Sequence, residues 1–270
     1  SGVTACASGQ TCNNGNCVGG TPQNKLLAYY AFQNDYSDSS GNNNHGTVKG
    51  TPNSNSIFPN GKVGKGVQFD GDDYIDVSNQ LPIANEITVS AWIRTSGNDL
   101  FVLGERSSNS DANIAYSLHV IASGKVLWYI SNGAHIISDV NVNDNNWHFI
   151  AARFKPGSEI MVQIDGVKKT SSTSVSSINP AVIPFKIGSG TGSSNFNGLL
   201  DEVKVWNYAL TDAEIKREYD AGSGCTNECI PSGIKQCSGN GYQTCGNYGA
   251  DSCLEWSSVT ACSAGQTCSS

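Results

Sequence analysis

Charged side chains are scarce in this chain. Asp, Glu, Lys and Arg make up 14% of its 270 residues, against roughly 25% in a typical soluble domain. The polar surface must therefore come from Ser, Thr, Asn and Gly. Basic residues are the scarcer sign, 16 Lys and Arg against 23 Asp and Glu, a net charge of −7. Such a chain has little with which to neutralise a phosphate backbone, so nucleic acid is not an expected partner. Apolar runs are short, and none approaches the ~18 residues of a transmembrane helix. A charged-then-apolar leader is absent at Ser1; either it was removed or the chain begins inside a longer one. No Asn-x-Ser/Thr acceptor occurs, so N-glycosylation at that motif is not expected. With 30 Gly and 8 Pro, a long helical protein is excluded as well. What remains is one large all-β domain with small satellites, or two ordinary domains.

The middle of the chain also lacks cysteine. All ten sit near the ends, at Cys6, Cys12 and Cys17, then at Cys225, Cys229, Cys237, Cys245, Cys253, Cys262 and Cys268. Thiols packed into short, loop-rich ends point to disulfides in an oxidising compartment, hence to a secreted or cell-surface protein. Zinc is the weaker alternative. There is no CxxC pair, and none of His45, His119, His135 and His148 falls in a cysteine segment.

The two ends are related. Residues 1–14 read SGVTACASGQTCNN and residues 257–270 read SSVTACSAGQTCSS, with nine of fourteen positions identical. One module written twice explains this, the first copy being only its tail. Three cysteines lie in the first segment and seven in the second. If all are oxidised, at least one bridge joins the two, within a chain or between chains. A module cut in this way fits an array of similar units, or an arbitrary boundary within a multidomain protein. The domain division read from the sequence is 1–20, 21–223 and 224–270.

Residues 25–206 alternate short apolar runs with turn signals. Leu26–Phe32, Gly66–Phe69, Tyr74–Val77, Glu86–Arg94, Ser117–Val120, Lys125–Ile130, Trp147–Phe154, Ile160–Val167 and Gly198–Trp206 all read as strands. One helix is predicted after Thr211, where Thr211-Asp212-Ala213-Glu214 forms a capping box. The order AYYAFQNDYSDSSGNNNHGTV, VQFDGDDYIDV, ITVSAWIRT, NWHFIAARF, VQIDGVKK and FNGLLDEVKVWNYALTDAEI resembles the laminin-G-like, concanavalin-A-like jelly roll over roughly residues 25–222. The resemblance implies an all-β sandwich of two curved antiparallel sheets with one short C-terminal helix. It also brings both ends of the domain, and with them the two disulfide-rich segments, close together.

Similar family members bind calcium between an early loop and the late Asp of a DE-V motif. Carried over, this implies Asp38, Asn44 and Asp201 as calcium ligands, with Gly41 and Gly46 as carbonyl donors. The loop's carboxylate and amides suit an ion that takes six to eight oxygens; an Asx-rich turn needing no ion is the alternative. The second acidic cluster, Asp70-Gly71-Asp72-Asp73, reads as a hairpin turn with a solvated charge run.

Catalytic signatures are missing. Glucanases of this fold type carry Glu-x-Asp-x-x-Glu, whose paired carboxylates do the chemistry. No such strand occurs, and Glu86, Glu105, Glu159 and Glu202 have no suitable partner in sequence. His-Glu-x-x-His and Gly-x-Ser-x-Gly are absent too. Trp92 and Trp147 are expected in the core. Trp128 and Tyr129 are adjacent and so face opposite sides of a strand, one of them available to line a sugar-binding face. The sequence thus points to a non-catalytic extracellular structural and adhesive subunit, joined head-to-tail to similar units through its cysteine segments into a fibre or surface array. The alternative is a calcium-stabilised, carbohydrate-binding module of a larger secreted protein. Expected partners are copies of itself or glycans.

Overall fold

The computed structural model describes residues 11–13, 16–18, 26–50, 57–77, 80–83, 85–106, 114–179, 183–189, 195–223, 233, 235–238, 241–246 and 255–262. It divides into two compact units, Ser1–Ile215 and Lys216–Ser270. The first unit opens with β1 (Thr11–Asn13) and β2 (Asn16–Val18), a short antiparallel pair whose register sets Cys12 opposite Cys17. It continues with β3 (Leu26–Tyr30), β4 (Thr47–Lys49), β5 (Val67–Asp70), β6 (Tyr74–Asp76), β7 (Ile87–Arg94), β8 (Leu100–Arg106), β9 (Ile114–Val120) and β10 (Lys125–Ile130). A 3-10 turn at Ser131–Gly133 leads to β11 (His135–Asn141), β12 (Trp147–Lys155), β13 (Glu159–Ile164), β14 (Val167–Ser172), β15 (Lys186–Ile187) and β16 (Asn197–Trp206). The helix α1 (Asp212–Gly222) spans the division between the units. The second unit holds β17 (Lys235–Ser238), β18 (Gly241–Gly246), β19 (Glu255–Trp256) and β20 (Thr260–Ala261), a small antiparallel sheet centred on β18.

Two seven-stranded antiparallel sheets form the expected sandwich. The first runs β11-β10-β9-β8-β15-β6-β4; the second runs β14-β13-β12-β7-β16-β3, with β5 also paired to β16. Alternation along each strand builds the core between them. In β7, Ile87, Val89, Ala91 and Ile93 enter the inter-sheet core, as do Ile150, Ala152 and Phe154 of β12. From the first sheet come Val126, Trp128 and Ile130 of β10. The β13–β14 connection is a two-residue loop, Asp165-Gly166, with both residues at positive φ (49° and 85°). That geometry matches the strands' right-handed twist and explains the Asp-Gly pair in the sequence.

The predicted helix starts as its capping box requires. The Thr211 backbone N–H donates to Glu214 Oε2 (2.6 Å), and the Glu214 N–H donates to Thr211 Oγ1 (3.3 Å). Each orphan amide is thereby satisfied reciprocally.

Several details depart from the sequence reading. The acidic run 70–73 is not a hairpin turn: β5 lies in the second sheet and β6 in the first, so this turn carries the chain from one layer to the other. Trp92 is buried, but alternation places it opposite the inter-sheet core, beneath the Lys62 ammonium at 4.5 Å. Trp147 is only partly buried. Cys237 and Cys245 are disulfide-bonded, whereas Cys262 carries a free thiol, against the expectation that every cysteine is bridged. Cys6, Cys225, Cys229, Cys253 and Cys268 lie outside the described residues.

Candidate functional site

The calcium ligands implied by sequence fall into two separately satisfied groups. Asp38 is 7% exposed. Its Oδ1 accepts from the backbone N–H groups of Tyr29 (3.0 Å) and Ser40 (2.8 Å), and its Oδ2 from Ser40 Oγ (2.9 Å) and the Asn44 N–H (2.9 Å). A carboxylate has about four lone-pair sites, and here protein donors meet four. Asn44 donates through Nδ2 to the Leu27 carbonyl (2.8 Å), and its own carbonyl accepts from the Tyr30 hydroxyl (2.6 Å). Gly41 turns at φ 89°. The Gly46 N–H donates to the Tyr36 carbonyl, and a Cβ at Gly46 would collide with Ile75 Cγ2. Asp38 and Asn44 are brought together, but as the frame of an Asx turn. N–H groups aimed at both carboxylate oxygens fit a turn better than a cation cage.

Asp201 serves a different loop. β16 pairs with β5 along its first half and with β3 along its second, and a register shift at Asp201–Lys204 marks the change. Glu202 sits at φ 51° in this bulge. Such a bulge leaves ladder amides unpaired. The Asp201 carboxylate takes up the Glu202 N–H of the bulge (2.8 Å) and also accepts from the Val63 N–H of a neighbouring loop (2.8 Å). The side chain is fully buried. Burial, with the Glu202 charge adding to it, raises its pKa to about 7 despite these backbone hydrogen bonds. The DE-V motif is thus a strand-switching device.

The carboxylates of Asp70, Asp72 and Asp73 lie within 4.8 Å of one another. Asp73 is buried and accepts from the Asp70 N–H (3.0 Å), while Asp70 and Asp72 are exposed. Burial raises the Asp73 pKa. The cluster caps the crossover between sheets.

The aromatic pair in β10 divides as strand alternation demands. Trp128 fills the core. Tyr129 lies on the outer face of the first sheet, opposite His135 of β11, and their rings stack with centroids 6.3 Å apart and an interplanar angle of 16°. His135 also borders a cleft of about 310 Å³. The cleft opens where the edge strands of the two sheets face each other. The turn after β10 supplies Asn132, β13 supplies Ile160, and the end of β14 supplies Ser172, Thr173 and Ser174. Farther along this seam, Lys169 of β14 pairs with Asp139 of β11 at 2.7 Å. The sequence points to Tyr129 but to neither His135 nor the Ser/Thr run. An Asn-Gly turn at 132–133 and a hydroxyl-rich run after β14 were the available signals; only the facing edges join them.

Residues 69–216 match the Laminin_G_3 family, described as the concanavalin A-like lectin/glucanases superfamily. A comparison with curated protein sequences gives no match. Among solved structures, the chain is similar to domain 4 of AbnA, a GH43 extracellular arabinanase from Geobacillus stearothermophilus, in complex with arabinotriose. Identity is 23% and the TM-score 0.59, over 72% of this chain and 98% of that domain. It is also similar to the binding domain of Paraclostridial mosquitocidal protein 1, at 16% identity and a TM-score of 0.57, over 74% of this chain and 52% of that one. The binding domain of botulinum neurotoxin DC, in complex with rat synaptotagmin II, gives 16% identity and 0.57, over 82% and 62%. At these identities the likeness is one of fold. With two antiparallel sheets around a single core and more than half of its length matched, this chain belongs to the Laminin_G_3 family of concanavalin A-like jelly rolls.

Proposed function

We propose that the chain is a non-catalytic, extracellular carbohydrate-recognition module. The observation that carries this reading is the stacked Tyr129–His135 pair beside a polar cleft on one side of the sandwich. A sugar ring presents C–H groups on its face and hydroxyls around its rim. The C–H face packs on an aromatic ring, whose face is electron-rich, and the hydroxyls exchange hydrogen bonds with amides and alcohols. The arabinotriose complex of the similarly folded arabinanase domain supports the same reading. Among the described residues no helix is long and apolar enough to cross a membrane.

The four glutamates singled out in the sequence are engaged in structural hydrogen bonds, which favours binding over hydrolysis. Glu86 accepts from the Ala209 N–H, Glu105 from the Leu81 N–H, Glu159 from Arg153 and Glu202 from the Tyr29 hydroxyl. A glycan array followed by calorimetry tests the proposal. Tyr129→Ala is expected to weaken binding roughly tenfold, about 1.4 kcal/mol, with the thermal midpoint unchanged. Silence of the wild-type protein on every glycan would end it.

Head-to-tail assembly through the cysteine segments is a second reading. It is favoured by the duplicated stretch at 1–14 and 257–270 and by the partly exposed free thiol of Cys262. Non-reducing electrophoresis tests it: reductant-sensitive ladders are expected, and a protein that runs only as monomer under oxidising conditions counts against interchain bridges.

A further inference from the structure

The cleft has a chemical character that narrows its ligand. None of its described lining residues is Lys, Arg, Asp or Glu. We propose that it takes an uncharged sugar, held as one or two rings at its outer end, and discriminates against uronates and sulfated sugars. This rests on the carbohydrate-recognition reading and deepens it.

Charge decides the first half of the proposal. A carboxylate or sulfate entering the cleft gives up its hydration and meets no cation in return, a desolvation cost that hydroxyls and amides only partly offset. A neutral sugar hydroxyl is both donor and acceptor and needs a mixed set of partners. The cleft offers that set in fixed orientations. Asn132 and Asn179 form a reciprocal amide pair, Asn132 Nδ2 donating to Asn179 Oδ1 (3.2 Å) and Asn179 Nδ2 donating to Asn132 Oδ1 (3.0 Å). Each group of the Asn132 amide retains one further bonding site, one donor and one acceptor. His135 Nδ1 lies 2.9 Å from the Gly133 carbonyl. A carbonyl only accepts, so Nδ1 carries the proton and Nε2 of the neutral ring is an acceptor. Thr173 Oγ1 accepts from the Val175 N–H (3.1 Å), which leaves its O–H as a donor. Ile160, buried in the core, closes the inner end of the cleft.

Size and shape decide the second half. A volume of about 310 Å³ lies at the small end of the roughly 300–1,000 Å³ of ligand pockets. The seam does not run on as an open groove, because the Lys169–Asp139 ion pair bridges it four residues along β11 from His135. A long polymer laid along the seam meets that bridge, whereas a chain end does not.

Calorimetry of the full chain with neutral, uronate-containing and sulfated oligosaccharides tests this, at low and high salt. Neutral short oligosaccharides are expected to bind with affinity insensitive to salt. Asn132→Ala and the near-isosteric Thr173→Val should each weaken binding roughly tenfold with the thermal midpoint retained. Ser174→Lys, an exposed position, should admit uronates that the wild type excludes. Preference of the wild type for acidic sugars, salt-sensitive binding, or neutral binding that both cleft substitutions leave intact would overturn the proposal while carbohydrate recognition stood. Absence of binding to all three classes would overturn both.

Discussion

Arg153 Nη1 lies 2.9 Å from Asp212 Oδ1, joining the middle of the second sheet to the first residue of the helix. The same nitrogen donates to the Leu210 carbonyl (2.6 Å), and Nε and Nη2 both donate to Glu159 Oε1 (2.9 and 2.6 Å). Arg153 is 3% exposed. One guanidinium therefore satisfies a strand, a loop carbonyl and a helix start. Asp212 sits in the helix's first turn, where negative charge is favoured by the peptide dipoles. Its pKa is lowered by hydrogen bonds from Lys168 and Arg153.

Arg153→Ala should therefore destabilise the first unit by about 3 kcal/mol, since truncating one partner of a buried pair leaves the others uncompensated. Urea denaturation measures this. Arg153→Met, which keeps the aliphatic stem, should lose less. Equal midpoints for wild type and the alanine variant would show that the network contributes nothing.

Glu105 provides a pH signature. It is 1% exposed, and burial raises its pKa to about 8 against the pull of the Leu81 N–H and the Gln80 side chain. The native state then holds a proton that the unfolded chain releases at a lower pH. Stability from this group is complete below the unfolded pKa and is lost as pH rises through about 8. Glu105→Gln keeps an oxygen for the Leu81 N–H and removes the titration. Between about pH 5 and pH 8 the variant's stability should fall less steeply than the wild type's, the remaining slope coming from groups such as Asp201 and His148, whose pKa values are also raised. Parallel profiles from chemical denaturation would refute this.

His148 works through the other ionisation. Its Nδ1 lies 2.6 Å from Asp165 Oδ2 and its Nε2 lies 2.9 Å from Asp144 Oδ1. Only the imidazolium donates to both. The Asp165 hydrogen bond foremost, then that of Asp144, raises the pKa against partial burial. The contribution is complete below the unfolded pKa and is lost as pH rises through the higher folded one. His148→Gln should cost about 1 kcal/mol near pH 6 and less near pH 9. An NMR titration of the ring reads the pKa directly, and a value below that of free histidine would contradict the clamp.

Asp38 separates a turn from a metal site. With four protein donors on its carboxylate, Asp38→Ala should destabilise by about 2 kcal/mol, equally in calcium and in chelator. A calcium-dependent rise in the wild-type thermal midpoint, abolished by this substitution, would instead establish Asp38 as a calcium ligand.

Much of the sandwich is legible without coordinates because strand periodicity is local. Ile87-Thr88-Val89-Ser90-Ala91-Trp92-Ile93 announces two faces by composition, and Ile150-Ala151-Ala152-Arg153-Phe154 does so with an arginine. The capping box at Thr211 is local for the same reason, whereas the strand read over Ile160–Val167 is broken by the Asp165-Gly166 turn. Trp92 shows where such reasoning stops. Hydrophobicity assigns it to the core, yet its parity matches Ser90 and Arg94, and Lys62 covers it on the opposite face.

While β4, β8, β11, β14 and β15 came only with the structure, the sequence by itself determined the all-β class, the positions of nine strands and of the helix, the concentration of cysteine at the ends and the jelly-roll resemblance. Each follows from periodicity, composition or motif order over neighbouring residues. The tertiary structure decided which sheet each strand joins, so that Asp70–Asp73 spans two layers and Asp201 braces a partner switch in β16. It also decided that Asn132, His135 and Thr173 share one cleft. Segments some forty residues apart become neighbours only when two sheets pack on a common core and their edge strands come to face each other.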